Sequence, residues 1–229
     1  MIKFIAIEGI DGSGKSTQIK LLLDHITNLK LSYKYIHFPR YENGIFGKMI
    51  ADFLKGIYGP VNKVNPYLVA LLFAMDRNDI KHRLKYWLRN NNLILVDRYV
   101  YSNIAFQCAK IRSIDYKLKL QKWIIDLEYY YNKIPKPDLS FFLFTPFSFV
   151  EKQLNSFRLG KDRGYLTGLT DIHESNLSLQ HNVQEEYIRL TNECKDFLLI
   201  NCYERDGSIK DQKLINNNII SILENKGFF

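Results

Sequence analysis

A glycine-containing loop near the start of the chain carries residue types that bind nucleotide phosphates. Residues 9–16 read Gly-Ile-Asp-Gly-Ser-Gly-Lys-Ser and match the pattern G-x-x-x-x-G-K-S. Glycines let successive backbone N–H groups point at one anion, and the helix that follows adds the positive end of its dipole. Lys15 would reach the β and γ phosphates, and Ser16 could ligate Mg²⁺. The predicted nucleotide contacts of this loop are Gly12, Ser13, Gly14, Lys15, Ser16 and Thr17.

Asp97 and Arg98 directly follow an apolar run, residues 93–96, which places both at the carboxyl end of a predicted buried strand. Ligands of open α/β sheets collect at that edge, beside the phosphate-binding loop. Asp97 could hold Mg²⁺ or its water shell there, although an aspartate that caps the next helix would fit the same pattern. Burial of Arg98 would be costly without an anionic partner, and a phosphate is the obvious one.

A third group of residues has the types needed to bind a nucleobase and a further phosphate. Phe73 and Arg77 are four residues apart, which places them on one face of a helix. The ring could stack on a base while the arginine donates to its carbonyl edge, although the leucines beside Phe73 fit a core helix equally well. Arg40 follows the second apolar run, and together with Arg98 it could pair bidentately with a monophosphate.

The elements that must position these residues are indicated by the hydrophobic pattern. Apolar runs predict strands at residues 2–7, 33–38, 93–96, 139–144 and 197–202. Helical periodicity follows the phosphate-binding loop and recurs at residues 46–54, 66–88, 116–131, 147–157, 177–194 and 212–225. Strands that are apolar throughout and alternate with helices are typical of a parallel sheet covered on both faces. The prediction is an α/β fold with a five-stranded parallel sheet in a single domain, residues 1–229.

The composition fits a folded protein without disulfides or membrane spans. Of 229 residues, 46% are hydrophobic, and the three cysteines, Cys108, Cys194 and Cys202, form no C-x-x-C pair, which favours a reducing compartment. No apolar stretch approaches the ~20 residues that span a bilayer, and Glu8 and Asp11 interrupt the apolar N-terminus before a signal peptide could form. We therefore expect a soluble, cytoplasmic protein.

Several classes of protein use a phosphate-binding loop of this kind. The guanine-reading pattern N-K-x-D is absent, since residues 62–65 read Asn-Lys-Val-Asn, and this disfavours a GTPase switch. A deoxynucleoside kinase would benefit from a carboxylate near the end of the second strand, and Glu42 keeps that alternative open. The net charge of +8 would suit a P-loop ATPase or a nucleic-acid-binding module, but no basic strip interleaved with aromatic residues supports one. Neither nucleic acid nor a membrane is expected as a partner.

Four segments together resemble the thymidylate kinase family in order and spacing. They begin at residues 8, 38, 72 and 97 and read EGIDGSGKST, FPRY, LFAMDR and DRYVYSN. The resemblance runs from residue 2 to about residue 200, and it implies a P-loop fold of the nucleoside monophosphate kinase type with a mobile lid. It also implies that the protein uses Mg²⁺ and ATP to phosphorylate dTMP to dTDP, and that two copies form a homodimer.

The resemblance implies a role for most of the residues already named. Asp11 would hold the 3′-hydroxyl of the deoxyribose, Phe73 would stack on thymine, and Arg77 would bond the O4 atom of the base. Arg40 and Arg98 would hold the phosphate of dTMP, with Arg98 between the two substrates.

Further residues of these segments have implied places at the base and the sugar. Ser102 and Asn103 would lie near the base edge. Phe106 occupies a position that is often tyrosine in the family, where the ring crowds the sugar 2′ position and favours deoxyribose. A cis peptide bond between Phe38 and Pro39 is implied as well.

The resemblance also implies a positive charge in the lid. Some family members carry an arginine in the phosphate-binding loop where this chain has Gly12, and others place that charge in the lid. This chain resembles the second kind, because Arg158, Lys161 and Arg163 lie in a glycine-containing stretch at residues 158–171 that could close over ATP. The candidate catalytic residues are Lys15, Arg98, Arg158 and Arg163.

The segment after these basic residues departs from the family pattern. Residues 170–174 read Thr-Asp-Ile-His-Glu where other members have a run resembling Arg-Tyr-Glu. His173 is expected to be structural or at the surface rather than catalytic.

Overall fold

The sheet that carries the phosphate-binding loop has five strands, and all of its pairings are parallel. The strands are β1 (Phe4–Glu8), β2 (Tyr33–His37), β3 (Leu93–Asp97), β4 (Leu139–Phe144) and β5 (Phe197–Asn201), in the spatial order β2-β3-β1-β4-β5. The structure is a computed structural model that describes residues 3–90, 92–155, 164, 166 and 171–229. The predicted five-stranded parallel sheet is confirmed.

Helices connect the strands and cover the sheet. In the described ranges they are α1 (Lys15–Asn28), α2 (Gly44–Leu54), α3 (Pro66–Asp79), α4 (Lys81–Arg89), α5 (Val100–Cys108), α6 (Ile114–Ile125), α7 (Phe147–Asn155), α8 (Leu177–Glu193) and α9 (Gln212–Asn225). A π-helical segment, Asp126–Tyr131, continues α6. None of these described helices is long and apolar enough to cross a bilayer.

The hydrophobic core lies on both faces of the sheet because successive side chains of a strand point to opposite faces. Phe4 and Ala6 of β1 pack in a cluster with residues of α3, α5 and α8. Ile5 and Ile7 of the same strand pack in a second cluster with α1 and α9. The two helical layers expected from the fully apolar strands are therefore present.

The register of the sheet brings the two predicted ligand-binding loops together. Ile7 of β1 is paired with Asp97 of β3, and the backbone N–H of Arg98 donates to the carbonyl oxygen of Ile7 at 2.9 Å. The segments that follow β1 and β3 therefore leave the sheet side by side, at its carboxyl edge. The cis peptide bond expected between Phe38 and Pro39, after β2, is confirmed.

The helix predicted over residues 66–88 is wrong in one respect, because the structure has two helices there. The chain leaves helical geometry at Ile80, with φ −110° and ψ 11°, and α4 begins at the next residue. Ile80 and Leu84 are both buried, so the apolar periodicity continues across the break and does not reveal it.

Helix α5 has no counterpart among the predicted helices. All nine of its residues are buried, so no polar face alternates with an apolar one and the sequence has no helical period. This helix supplies several side chains of the site described next.

Candidate active site

The phosphate-binding loop joins β1 to α1 and has the backbone geometry of an anion cradle. Gly12 and Gly14 have φ values of 81° and 86°, in the left-handed region that favours glycine. Helix α1 begins at Lys15, and no side chain of the described residues caps its first turn, so its first N–H groups point towards the loop. The Lys15 side chain is buried, and its Nζ donates to the carbonyl oxygen of Ile10 at 2.8 Å. The loop can bind an anion with backbone donors and one ammonium group.

Asp97 ends β3 beside this loop. Its Oδ2 atom lies 3.1 Å from Nδ1 of His37, whereas Oδ1 is buried and has no hydrogen-bond partner among the described residues. Burial raises the pKa of Asp97, but the charges of His37, Lys15 and Arg98 outweigh this effect and lower the pKa below its ordinary value. The carboxylate is therefore ionised, with one oxygen available to a ligand.

Arg98 follows Asp97 and has a positive φ of 64°, which is uncommon for a residue other than glycine. Its Nη1 donates to the carbonyl oxygen of Gly9 at 2.8 Å, and its Nη2 forms an ion pair with Asp11. The guanidinium carbon lies 5.1 Å from the ring centroid of Phe106. Burial alone would lower the pKa of Arg98, but the charge of Asp11 raises it above its ordinary value. The arginine stays charged and is held against the phosphate-binding loop.

Asp11 is held in turn by Gln180 of α8. Gln180 Nε2 donates to Asp11 Oδ2 at 2.7 Å, and the backbone N–H of Asp11 donates to Gln180 Oε1 at 3.2 Å. Burial raises the pKa of Asp11, but the charges of Arg98 and Lys15 outweigh this effect and the pKa is lowered. The residue predicted to hold a sugar hydroxyl is therefore an ionised carboxylate in a fixed orientation.

Glu8 connects β1 to the segment that follows β3. Its carboxylate is fully buried and accepts hydrogen bonds from the backbone N–H of Tyr99 at 2.9 Å and from the hydroxyl of Ser102. The Ser102 hydroxyl also lies 2.7 Å from the hydroxyl of Tyr187, on α8. Burial raises the pKa of Glu8. These bonds fix the start of α5 relative to the phosphate-binding loop.

A second group of buried polar residues lies where the base-binding residues are predicted. Arg77 donates from Nε and Nη2 to the two carboxylate oxygens of Glu128 at 2.6 and 2.5 Å. Asn103 Nδ2 donates to the same carboxylate and to the carbonyl oxygen of Ala70, both at 3.0 Å, whereas Oδ1 has no partner among the described residues. Burial would lower the pKa of Arg77, but Glu128 raises it above its ordinary value.

One cavity of about 290 Å³ connects the phosphate-binding loop to this second group. Phe73 is half-buried at its wall, which also includes residues supplied by α5 and the segment after β3. The predicted site residues that line it are Asp11, Gly12, Gly14, Lys15, Ser16, Thr17, Phe73, Arg77, Asp97, Arg98, Ser102, Asn103 and Phe106. Residues predicted from distant parts of the sequence thus share one cleft, which joins an anion cradle to a polar, aromatic-walled pocket.

The comparisons with known proteins agree with this arrangement. The family model described as Thymidylate kinase matches residues 7–211. A probable thymidylate kinase of Thermococcus kodakarensis is 31% identical over 226 residues, which cover 96% of this chain and 97% of that protein. The chain belongs to the thymidylate kinase family. It is therefore a nucleoside monophosphate kinase, a phosphotransferase that converts dTMP to dTDP with ATP as the donor.

Two further matches are consistent with membership of the thymidylate kinase family. The thymidylate kinase of Plasmodium falciparum is 32% identical over 152 residues, which cover 66% of this chain and 65% of that protein. A solved structure of the thymidylate kinase of Candida albicans has a TM-score of 0.71 and 24% sequence identity, and the match covers 98% of this chain and 92% of that one. The structural match supports the fold. The alternatives of a deoxynucleoside kinase, an ATPase and a nucleic-acid-binding module give way to the family assignment.

Among the described residues, two predicted site residues, Arg40 and Ser13, do not line the cavity. Arg40 donates from Nε to Asp76 at 3.0 Å and from Nη2 to Asp79 at 3.0 Å, so the helix that carries Phe73 and Arg77 holds it at the side of the cleft. Ser13 is buried and does not line the cavity. Both acidic partners of Arg40 come from the far end of α3, which the local sequence around Arg40 does not indicate.

His173 is buried rather than at the surface. Its ring stacks on Phe106 with centroids 5.0 Å apart, and it lies edge-on to Phe53 at 5.4 Å. Burial lowers the pKa of His173 well below its ordinary value, so the imidazole is neutral. The basic residues predicted for the lid, Arg158, Lys161 and Arg163, lie outside the described residues.

Sequence reasoning missed several residues that complete the cleft. Glu8, Glu128, Tyr187 and Gln180 each hold a predicted site residue in place, and Gln107 lines the cavity with an Nε2 atom that is buried without a described partner. Only Glu8 carried a signal, because it begins the first segment of the family resemblance. The others contact their partners from elements that only folding brings near.

We expect the buried pair of Arg77 and Glu128 to be necessary for stability. Glu128→Ala would leave the guanidinium of Arg77 buried without its counter-charge, at a cost of about 3–5 kcal/mol in the free energy of unfolding. Denaturant unfolding followed by circular dichroism measures this change. The matched control is Lys122→Ala, which removes an exposed ion pair with Asp126 just before Glu128 and should change stability little. Equal unfolding midpoints for both variants would contradict the prediction.

Proposed function

We propose that dTMP lies in this cavity with its base against Arg77, Asn103 and Gln107 and its phosphate against Arg98. The observation that supports this placement is the pattern of polar atoms at the base end. Nη1 of Arg77 is a donor not engaged by Glu128, Oδ1 of Asn103 is an acceptor, and Nε2 of Gln107 is a donor. Thymine offers the complementary groups, since O4 and O2 accept hydrogen bonds and N3–H donates one.

The same pattern would disfavour cytosine. Cytosine has a donor at position 4 and an acceptor at position 3, the reverse of thymine. A cytosine donor would face the Arg77 donor, and a cytosine acceptor would face the Asn103 acceptor. The Asn103 amide has no freedom to turn round, because Nδ2 is bonded to both Ala70 and Glu128. A buried polar group left without a partner costs about 1–3 kcal/mol, so two mismatches would reject dCMP strongly. Phe73 would stack on the base.

The sugar and the phosphate of dTMP would lie between the base end and the phosphate-binding loop. We assign the 3′-hydroxyl to Asp11, whose carboxylate is ionised and held by Gln180. Phe106, fixed between the guanidinium of Arg98 and the ring of His173, would occupy the space that a 2′-hydroxyl needs. Arg40 would contact the phosphate from the side of the cleft. It would use Nη1, because Nε and Nη2 donate to Asp76 and Asp79.

ATP would bind at the other end of the cavity. Backbone N–H groups of the loop from Gly12 to Thr17 would hold its phosphates, and Lys15 would contact the transferring group. A lid arginine, Arg158 or Arg163, with Lys161 nearby, would add positive charge to that group when the lid closes. The acceptor phosphate is already anionic, so no strong general base is required. The chain's contribution is to orient both substrates and to neutralise charge with Lys15 and Arg98.

The residues at the ATP end fit a magnesium ion. Asp97 is ionised and has a buried oxygen without a described partner, and Ser16 lines the same cavity. Hard oxygen ligands of this kind suit Mg²⁺. We propose that Asp97 and Ser16 hold the ion, which when bound supplies positive charge to the phosphates of ATP.

We also propose that two copies of the chain form the homodimer implied by the family resemblance. Helix α3 has an apolar face directed away from the core, where Leu68 is 60% exposed and Leu71 is 37% exposed. Helix α5 is buried within the chain and is not available for pairing. The cytoplasmic location stays a prediction.

The roles of Lys15 and Arg98 are tested by turnover. Lys15→Ala and Arg98→Ala should each lower kcat more than about a hundredfold, because each removes a charge that stabilises the transition state. An ADP-release assay with saturating ATP, Mg²⁺ and dTMP measures the effect. Lys20→Ala, on the exposed side of α1, is the matched control and should keep normal turnover. Near-normal turnover of either site variant would remove the role assigned to it.

The acceptor assignment is tested by offering dTMP, dUMP, dCMP, AMP and thymidine separately to the same assay. We expect dTMP to be preferred over dCMP by about a hundredfold or more in kcat/KM, because the polarity of the base end matches thymine. Comparable rates with dCMP would contradict the proposed base contacts. Phosphorylation of thymidine in the absence of dTMP would instead indicate a nucleoside kinase.

The dimer is tested by light scattering during size-exclusion chromatography. The wild-type chain should run at twice its monomer mass, and Leu68→Glu should give a monomer because it places a charge in the apolar interface. Leu214→Glu changes a similarly exposed leucine on α9 and should leave the dimer intact. A monomeric wild-type protein would rule the proposal out.

A further inference from the structure

Lys110 lies just beyond the end of α5 and contacts the wall of the nucleotide cavity from behind. Its Nζ donates to Oε1 of Gln107 at 2.8 Å and lies 5.2 Å from the ring centroid of Phe53. Gln107 is fully buried and lines the nucleotide cavity, whereas Lys110 is only partly buried and lines a second cavity of about 410 Å³. The side chain of Gln107 therefore has Lys110 on one side and the nucleotide cavity on the other.

The chemistry of this contact fixes the orientation of the amide. A protonated lysine has only donors, so the atom of Gln107 that it contacts must be the oxygen. The amide nitrogen then faces away from Lys110. Nε2 is buried and has no acceptor among the described residues. A buried donor without a partner is costly, and a base carbonyl in the cavity would satisfy it.

We propose that Lys110 is a positioning residue that holds the Gln107 amide with its NH₂ group towards the base of the bound nucleotide. The proposal rests on the assignment of dTMP to this cavity. Without Lys110, the amide of Gln107 would lose its one described hydrogen-bond partner and could turn either face to the cavity. Binding of dTMP would then have to order the side chain, which weakens affinity.

A structural role for Lys110 predicts something different. A positive charge at the end of a helix stabilises that end, and the backbone N–H of Lys110 already donates to the carbonyl oxygen of Gln107 at 3.3 Å. The ammonium group of Lys110 is poorly solvated, and this lowers the pKa of Lys110 to about 7. If Lys110 only stabilised the helix, its removal would lower thermal stability and leave affinity for dTMP unchanged.

The test is a double-mutant cycle on dTMP binding, measured by isothermal titration calorimetry without ATP at pH 6.5, where Lys110 is mostly protonated. Lys110→Met should raise the Kd for dTMP about fivefold, with kcat at saturating dTMP changed less than about twofold. In a Gln107→Met background the same substitution should have almost no further effect on Kd, because the amide that Lys110 holds is absent. Thermal unfolding of each variant shows that it is folded, and Lys110→Ala replaces Lys110→Met if the latter is not.

Lys117→Met is the matched control. Lys117 lines the same second cavity and pairs with Glu186, but it makes no described contact with Gln107, so its removal should leave the Kd for dTMP unchanged. Two results would overturn the proposal: wild-type affinity in Lys110→Met, or an equal effect of that substitution with and without Gln107. Failure of the proposed placement of dTMP is distinguishable, because Gln107→Met by itself would then bind dTMP with wild-type affinity.

Discussion

The site depends on one largely buried cation, the guanidinium of Arg98, and on the groups that compensate for its lost solvation. Arg98 leaves β3 with a left-handed backbone, bonds to the carbonyl oxygen of Gly9 and pairs with Asp11. A charge withdrawn from water needs such partners, because the solvation it loses is worth several kcal/mol. The pairing ties the end of β3 to the phosphate-binding loop, so the cation is already in position at the wall of the cavity.

The same constraint explains the residues around that centre. Asp11 needs Gln180 to hold its second oxygen, and the fully buried Glu8 is satisfied by the start of α5 and by Ser102. Elsewhere in the cavity wall, Glu128 balances the charge of Arg77 and orients Asn103. Each of these charged groups thus has a partner on a different element, and the hydrogen bonds that satisfy them also fix the shape and polarity of the cleft.

Helix α5 connects these two groups and shows why part of the fold escapes sequence analysis. Ser102, Asn103, Phe106 and Gln107 all lie on it, and every residue of the helix is buried. Its polar side chains line the cavity and interrupt the apolar pattern. The segment therefore has neither an amphipathic period nor a simple apolar run. The hydrophobic pattern does not predict the break between α3 and α4 for the opposite reason, because the apolar residues continue regularly through it.

The sequence by itself determined the strands, the parallel sheet and the phosphate-binding loop, because these depend on local patterns: apolar runs, glycine spacing and the lysine after the last glycine. It also indicated Asp97, Arg98, Phe73 and Arg77 as residues that belong together, through their places at strand ends and on one helix face. Only the tertiary structure decided which partners hold them. Glu128 meets Arg77 across 51 positions of sequence and Gln180 meets Asp11 across 169, and no local pattern encodes contacts that arise from packing distant elements around buried charges.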